Sequence, residues 1–219
     1  MPTTILFCRH GQTHWNVSGR LQGQLDTELD ATGRMQAAAL GVALAARPLD
    51  YPLANVVYSS DLTRVSETAA ACIGLCYAAG SASPALRLDT RLRERKLGPF
   101  EGLTDTESAQ THANEWRCFL RGTEVEGVEG DTEVMARTSS CLRDIAAAHP
   151  GHTVLVFSHG GAIHCGVCSL TGAKTLPLIG NCSITQLRVG DDPNERWEAV
   201  SVGESPVPAS SIRNVDVRL

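Results

Sequence analysis

No basic cluster marks this chain: 19 lysines and arginines stand against 24 aspartates and glutamates, for a formal net charge of −5, and the basic residues are scattered. Such a balance lacks the electrostatic footprint of a nucleic-acid or anionic-membrane binder, so any anion bound here is held locally. No apolar run approaches membrane-spanning length, and strand-like sequence begins at once without a basic and apolar leader. A soluble, cytoplasmic protein is expected, with neither membrane nor nucleic acid as partner. No composition shift, internal repeat or long low-complexity segment divides the 219 residues. The expectation is one domain over 1–203, with an inserted lid region around 95–130 and an extended tail over 204–219.

Three chemistries lack their parts. No G-x-S-x-G occurs, which removes the nucleophile of a serine hydrolase although His159-Gly160-Gly161 could serve an oxyanion hole. Gly172-Ala173-Lys174-Thr175 has no upstream glycine at Walker spacing. Cys165-Gly166-Val167-Cys168 is a lone C-x-x-C inside an apolar helix, with no second pair to complete a zinc site. Of the eight cysteines, Cys8, Cys72, Cys141 and Cys182 sit in apolar runs, where they act as small hydrophobes, so reduced thiols are expected.

What is present is a repeated pattern. Thr4 to Cys8 is nearly all apolar, the signature of a strand buried on both faces of a parallel sheet, and it ends in Arg9-His10-Gly11. Thr153 to Phe157 ends the same way, in Ser158-His159-Gly160-Gly161. Between them strands alternate with helices. Asp30 should cap a helix burying Met35, Ala38, Ala39, Val42 and Ala46. A strand over Asn55–Ser59 ends in Ser59-Ser60-Asp61, which should cap a helix with the stripe Leu62, Val65, Ala69, Cys72 and Cys76. A small-residue loop covers Gly80 to Pro84, and weak helical periodicity runs from Thr104 to Leu120. Asp131 should cap a helix that buries Val134, Thr138, Cys141, Leu142 and Ile145, and a helix should open directly after His159. The last two strands, Ser183 to Val189 and Arg196 to Val202, read as a hairpin. The alternation predicts a three-layer α/β/α sandwich with a mostly parallel sheet.

In such sheets ligands bind beyond the carboxyl ends of the strands, which is where His10 and His159 fall. His14, His112, His149, His152 and His164 carry no such context and read as structural or solvent-exposed. Arg9, Arg64 and Glu94 can converge on the two strand-tip histidines. Arginine forks and a helix N-terminus around one histidine describe a phosphate pocket with the histidine as in-line nucleophile. A metal is not expected: the histidines are far apart in sequence, no carboxylate stands at ligand spacing, and the arginines would repel a divalent cation. No other cofactor is implied. Arg95 is a candidate selector of substrate, with Lys96, Phe100, Trp116, Arg117 and the acidic, glycine-punctuated loop 122–130.

These residues, in this order, resemble the histidine phosphatase superfamily, the phosphoglycerate-mutase-like enzymes. The resemblance rests on Arg9-His10-Gly11-Gln12 with Asn16, Gly19 to Gln24, Ser59-Ser60-Asp61-Leu62 with Arg64, Glu67 and Thr68, Leu92-Arg93-Glu94 before Gly98, and Ser158-His159-Gly160-Gly161. Gly130-Asp131-Thr132 stands where the family often has Gly-Glu-Ser. It implies that His10 takes the phosphoryl group, that Arg9, Arg64 and His159 hold its oxygens with Asn16 and the Gly160 N–H, and that Glu94 is the general acid and base. Gln22 and Gly23 would touch substrate. The segment after Glu94 lacks the long basic insertion of mutases, and Glu124, Glu126, Glu129 and Asp131 face Arg121 alone. The expectation is therefore a phosphatase of a small phosphorylated metabolite, with a cofactor-dependent phosphoglycerate mutase and a non-catalytic phospho-ligand binder as alternatives. The oligomeric state is not set by the sequence, and a homodimer is one compatible arrangement.

Overall fold

β1 (Thr3–Arg9) lies buried along its whole length because both faces of the sheet are covered. The computed structural model describes residues 1–50, 52–77 and 84–206; the loop expected at Gly80 to Pro84 falls almost wholly outside them, as does the tail after Pro206. A short helix α1 (His14–Ser18) follows β1, then α2 (Ala31–Ala46), β2 (Leu53–Ser59), α3 (Thr63–Cys76) and the short strand β3 (Ala85–Leu88). The stretch expected to be weakly helical divides into α4 (Asp105–Thr111) and α5 (Ala113–Leu120). Then come α6 (Asp131–Ala148), β4 (Thr153–Ser158), α7 (Gly160–Thr171), β5 (Ile184–Val189) and β6 (Glu198–Glu204).

The sheet order is β3-β2-β4-β1-β5-β6. β1 with β4, β4 with β2 and β2 with β3 are parallel; β5 and β6 add antiparallel at the other edge, as the hairpin pattern predicts. One face packs on α6 and α7 through Phe7, Val156, Leu142, Ile163 and Leu170; the other packs on α2 and α3 through Leu6, Phe157, Leu40, Val65 and Cys72. The three layers are thus those read from the sequence. Each fully buried Ile, Leu or Phe contributes roughly 1.5–3 kcal/mol by leaving water. Among the described residues, no helix is long and apolar enough to cross a membrane.

The structure corrects three local readings. In α2 the buried face is Gly33, Gln36, Ala37, Leu40, Gly41 and Leu44, while Met35 is 67% and Val42 59% exposed. The helix is apolar nearly all round, so periodicity cannot choose a face; close approach chooses it. A Cβ on Gly41 would lie 3.1 Å from the Cys72 backbone of α3, and one on Gly33 would lie 2.0 Å from the Gln12 carbonyl oxygen. At the start of α3 neither Ser60 nor Asp61 caps. Asp26 does so from another loop, accepting from the Thr63 N–H (2.7 Å) and hydroxyl (2.6 Å), which leaves Ser60 and Asp61 for other bonds. Asp131 is the first residue of α6 rather than its cap; Gly130 precedes it, and its N–H donates to Glu133 at 2.8 Å.

Residues 95–130 form a satellite core of their own, with Leu97, Phe100 and Trp116 buried against Leu21, Phe119, Val125 and Val128. The bridge between Leu97 and Val128 and the Glu129 N–H to Lys96 carbonyl bond (2.9 Å) fasten its two ends together beside the carboxyl edge of the sheet.

Candidate active site

Three parallel strands deliver the site. Arg9 pairs in register with Ser158, so the residues that follow, His10 and His159, emerge side by side; their rings lie 5.3 Å apart at 65°. β2, on the far side of β4, leads into α3, whose first turn carries Arg64. The sequence places Arg64 off the apolar stripe, yet it is fully buried, because it turns toward the site rather than solvent. Its Nη1 and Nη2 donate to the Leu25 and Gly23 carbonyls at 2.9 and 2.8 Å, so the loop that holds Gly23 is folded onto the arginine. Arg9 is held by the Ile179 carbonyl at 2.5 Å.

Burial, then Arg64 and Arg9, keep the His10 pKa well below the ordinary histidine value, and the same causes act on His159 with His10 added. Both rings are therefore neutral at neutral pH. A carbonyl can only accept, so the 2.7 Å contact of His10 Nδ1 with the Gly11 carbonyl fixes the proton on Nδ1. The Nε2 lone pair is left for chemistry. Burial lowers Arg64 to about 10, which keeps it charged at neutral pH. Three buried nitrogens around His10 lack a hydrogen-bond partner: Arg9 Nε, Arg64 Nε and His159 Nδ1. Buried donors of this kind are normally satisfied, and a tetrahedral oxyanion is a ligand that would satisfy them.

Glu94 meets the site from the segment between β3 and α4. Its carboxylate accepts from the Arg95 N–H (2.8 Å), the Gly161 N–H (3.1 Å) and the Ala162 N–H (3.1 Å). The free N-terminus of α7 is thus turned on Glu94, through the residues after Gly160, whereas the sequence had aimed it at the ligand of His159. Gly161 is required there, since a Cβ would come within 2.5 Å of Glu94 Oε1.

The remaining expected residues are placed unevenly. Asn16 is buried, with its Oδ1 engaged by the Thr13 N–H (3.0 Å), the Thr13 hydroxyl (3.1 Å) and, more distantly, Asn181 Nδ2 at 3.4 Å. Gln22 Oε1 accepts from the Thr27 hydroxyl at 2.9 Å. Gly23 adopts φ +50° and lies so close to Glu101 that a side chain would collide with its carboxylate. Arg95 pairs with Asp131 and touches Cys165 Sγ at 3.6 Å, so it is engaged before any substrate arrives.

Several further residues support the site: Ser60 and Thr68 belong to the block from Ser59 to Thr68, whereas Asn181, Cys182 and Arg137 carry no motif. Ser60 lies 3.0 Å from His159 Nε2. Asn181 Nδ2 and the Cys182 N–H both donate to the His10 carbonyl (3.0 and 3.2 Å), and Cys182 sits at φ +54° to do so. Thr68 accepts the Gly11 N–H at 3.0 Å while donating to the Arg64 carbonyl at 2.7 Å. Arg137, from α6, donates to the carbonyls of Arg91, Arg93 and Glu94. The charge of the 122–131 loop also needs correction: Glu129 is paired with Arg137, and Asp131 with Arg95, so among the described residues Glu124 and Glu126 are the acids there without an ion pair. Among the described residues, no group of three or more His, Cys, Asp or Glu is placed to hold a metal ion.

Comparison with known proteins agrees with this geometry. The chain is 35% identical over 214 residues to a glucosyl-3-phosphoglycerate phosphatase of Mycobacterium tuberculosis, covering 90% of each. It is 31% identical over 199 residues to a metal-independent phosphoserine phosphatase of Arabidopsis thaliana, covering 89% of this chain and 79% of that one. A solved mycobacterial glucosyl-3-phosphoglycerate phosphatase complexed with VO3 superposes with a TM-score of 0.77 at 32% identity, covering 90% of this chain and 97% of that chain. Residues 5–203 match the family model of the histidine phosphatase superfamily, branch 1, and the chain belongs to that family.

Proposed function

We propose that this protein is a metal-independent phosphatase of small phosphorylated metabolites, working through a phosphohistidine on His10. The observation that carries the reading is a neutral His10 with its proton fixed on Nδ1, set among buried arginine and histidine nitrogens that have no hydrogen-bond partner among the described residues. Phosphoryl transfer passes through a loose transition state, so the protein's task is to hold the group in line and neutralise its oxygens. Arg9, Arg64 and His159 supply that charge and those donors. We assign the Ser60 hydroxyl as donor to His159 Nε2, which places the second histidine's proton on Nδ1, the nitrogen without a partner among the described residues. Asn16 and the Gly160 N–H are assigned an assisting role, and Gln22, Gly23 and Arg95 the contacts to the rest of the substrate.

In the first step His10 Nε2 attacks phosphorus, the P–O bond to the alcohol breaks, and protonated Glu94 gives its proton to the leaving oxygen. In the second, the Glu94 carboxylate takes a proton from water as that water attacks the phosphohistidine. The P–N bond breaks, inorganic phosphate leaves and His10 is neutral again. Rapid quench with a labelled phosphomonoester tests this: acid-labile, base-stable phosphate should appear on the wild type and be absent from His10→Ala. That variant should also lose at least about a thousandfold in kcat/KM. Base-labile label, or label that survives His10→Ala, would remove His10 from the reaction.

A further inference from the structure

Arg137 stands outside every motif, on α6, and its side chain is largely buried. All five of its N–H donors are spent: Nη1 donates to the carbonyls of Arg91 (2.8 Å) and Arg93 (2.7 Å), and Nη2 to the Glu94 carbonyl (3.0 Å) and Glu129 Oε2 (2.8 Å). Nε donates to Glu129 Oε1 at 2.5 Å. A planar guanidinium is the one side chain that can grip three backbone carbonyls and a carboxylate at once.

The segment it grips, 91–94, is also held by the Ser158 hydroxyl on the Leu92 carbonyl (2.7 Å), by the Arg93–Asp61 pair and by the buried Leu92 side chain, and Arg137 adds the bonds to the Arg91, Arg93 and Glu94 carbonyls. It is a single 3₁₀ turn over Thr90–Leu92 followed by extended backbone at Arg93. Yet it must hold Glu94 in register with His10. On the opposite side Gln24 Nε2 donates to the same Glu94 carbonyl at 3.1 Å, so Glu94 is clasped through its backbone from two directions. Glu129 completes the frame: its N–H donates to the Lys96 carbonyl and its Oε2 accepts the Lys96 N–H at 3.2 Å, which ties the strand of chain after Glu94 to the same arginine.

We propose that Arg137, anchored by Glu129, is a positioning residue that sets the depth of Glu94 in the site. It thereby controls proton transfer to the leaving group without touching substrate. The inference rests on Glu94 as proton donor. A misplacement of about an ångström at a reacting group costs on the order of a hundredfold, so loosening this clasp should resemble partial loss of the acid and not loss of the pocket.

The test compares Arg137→Lys, Glu129→Gln and, as reference, Glu94→Gln on an alkyl monophosphate and on p-nitrophenyl phosphate, with melting temperatures alongside. A good leaving group needs little protonation, so loss of the acid shows as a change in the ratio of the two rates. Arg137→Lys keeps the charge but loses the fork. It should slow the alkyl ester at least about tenfold, within the roughly 10²–10⁴ that a general acid supplies, and slow the aryl ester much less. Glu129→Gln should shift the ratio in the same direction, and it decides the matter if Arg137→Lys does not fold. Equal slowing of both esters in these variants, with Glu94→Gln still selective, overturns the positioning role and leaves Arg137 a structural residue. If Glu94→Gln slows both esters equally, the acid is elsewhere, and both the assignment of Glu94 and the role drawn for Arg137 fall together.

Discussion

Two neutral histidines buried beside two arginines make stability depend on pH in a window where most proteins are indifferent. In the unfolded chain each histidine titrates near 6.5, whereas in the folded protein His10 and His159 both resist protonation to well below that value. As pH falls through 6.5 the unfolded state takes up protons at both positions that the folded state does not, so stability is fully present above that pH and is lost below it; His149 and His164, also held below the ordinary value chiefly by burial, add in the same direction. Between pH 7.5 and 5.5 each group removes about 1.4 kcal/mol, and the pair about 2.7 kcal/mol. For a chain of this size that is a fall in Tm on the order of 5–10 °C. Thermal melts of the wild type and His10→Asn across this range provide the check. Asn cannot titrate, so the variant should lose about 1.4 kcal/mol less than the wild type between the two pH values, whatever its stability at pH 7.5. The carboxylates held low by arginine, Asp61 and Asp89, act at lower pH and fall outside the window. Parallel Tm curves for the two proteins would refute the neutral His10 on which the nucleophile depends.

Other outcomes follow from particular contacts. Gly33→Ala should destabilise by about 3 kcal/mol or more, read as a shift of the denaturation midpoint, because the added methyl meets the Gln12 backbone and not a side chain that could rotate away. Activity should be unchanged by EDTA and by added magnesium or zinc; inactivation by the chelator with recovery on one metal would contradict the arginine-based pocket. Incubated with 3-phosphoglycerate, with and without 2,3-bisphosphoglycerate, the enzyme should release inorganic phosphate faster than it forms 2-phosphoglycerate. Isomerisation outrunning release by about tenfold, or about 1.4 kcal/mol in barrier, would place it among the mutases.

The layers and the core of the site were legible because they follow from local rules. Buried parallel strands are continuous apolar runs, and a ligand sits where they end, so Arg9, His10 and His159 could be read from the pattern before the glycines that follow them. What escaped was set by partners distant in sequence. The buried face of α2 is decided by close backbone packing at Gly33 and Gly41, for which periodicity has no term. Ser60 reads as a cap, yet Asp26 takes the capping bond and Ser60 turns to His159. Asn181 and Cys182 lie in an irregular stretch before β5, and their bonds to the His10 carbonyl depend on one residue adopting a positive φ. Arg137 looks like one charge on an amphipathic helix until its five bonds are seen.

The preference for hydrolysis over phosphoryl exchange also rests on a different foundation from the one the sequence suggested. Acidity of the 122–131 loop cannot carry it, since Glu129 and Asp131 are matched by Arg137 and Arg95. The matching itself carries it. A mutase must retain a bisphosphate and a carboxylate while the molecule turns over, which calls for uncommitted forks around the phosphoryl pocket. Here five arginines of the flanking segments are committed to carboxylates, Arg20 to Glu107, Arg91 to Asp89 and Asp144, Arg93 to Asp61, Arg95 to Asp131 and Arg137 to Glu129, while Arg117 bonds Asn114 and the Ala113 carbonyl and Arg121 is exposed at the end of α5. Lys96, exposed on a flexible stem, offers a point charge without a fork. A second phosphate would have to displace a carboxylate to reach any of these five, and each displaced carboxylate would then stand beside the anion it made room for. On the mechanism proposed above, such a mouth would hold one phosphoryl group through Arg9 and Arg64 and the rest of the ligand weakly, so that the dephosphorylated product would leave and water would take its place at the phosphohistidine.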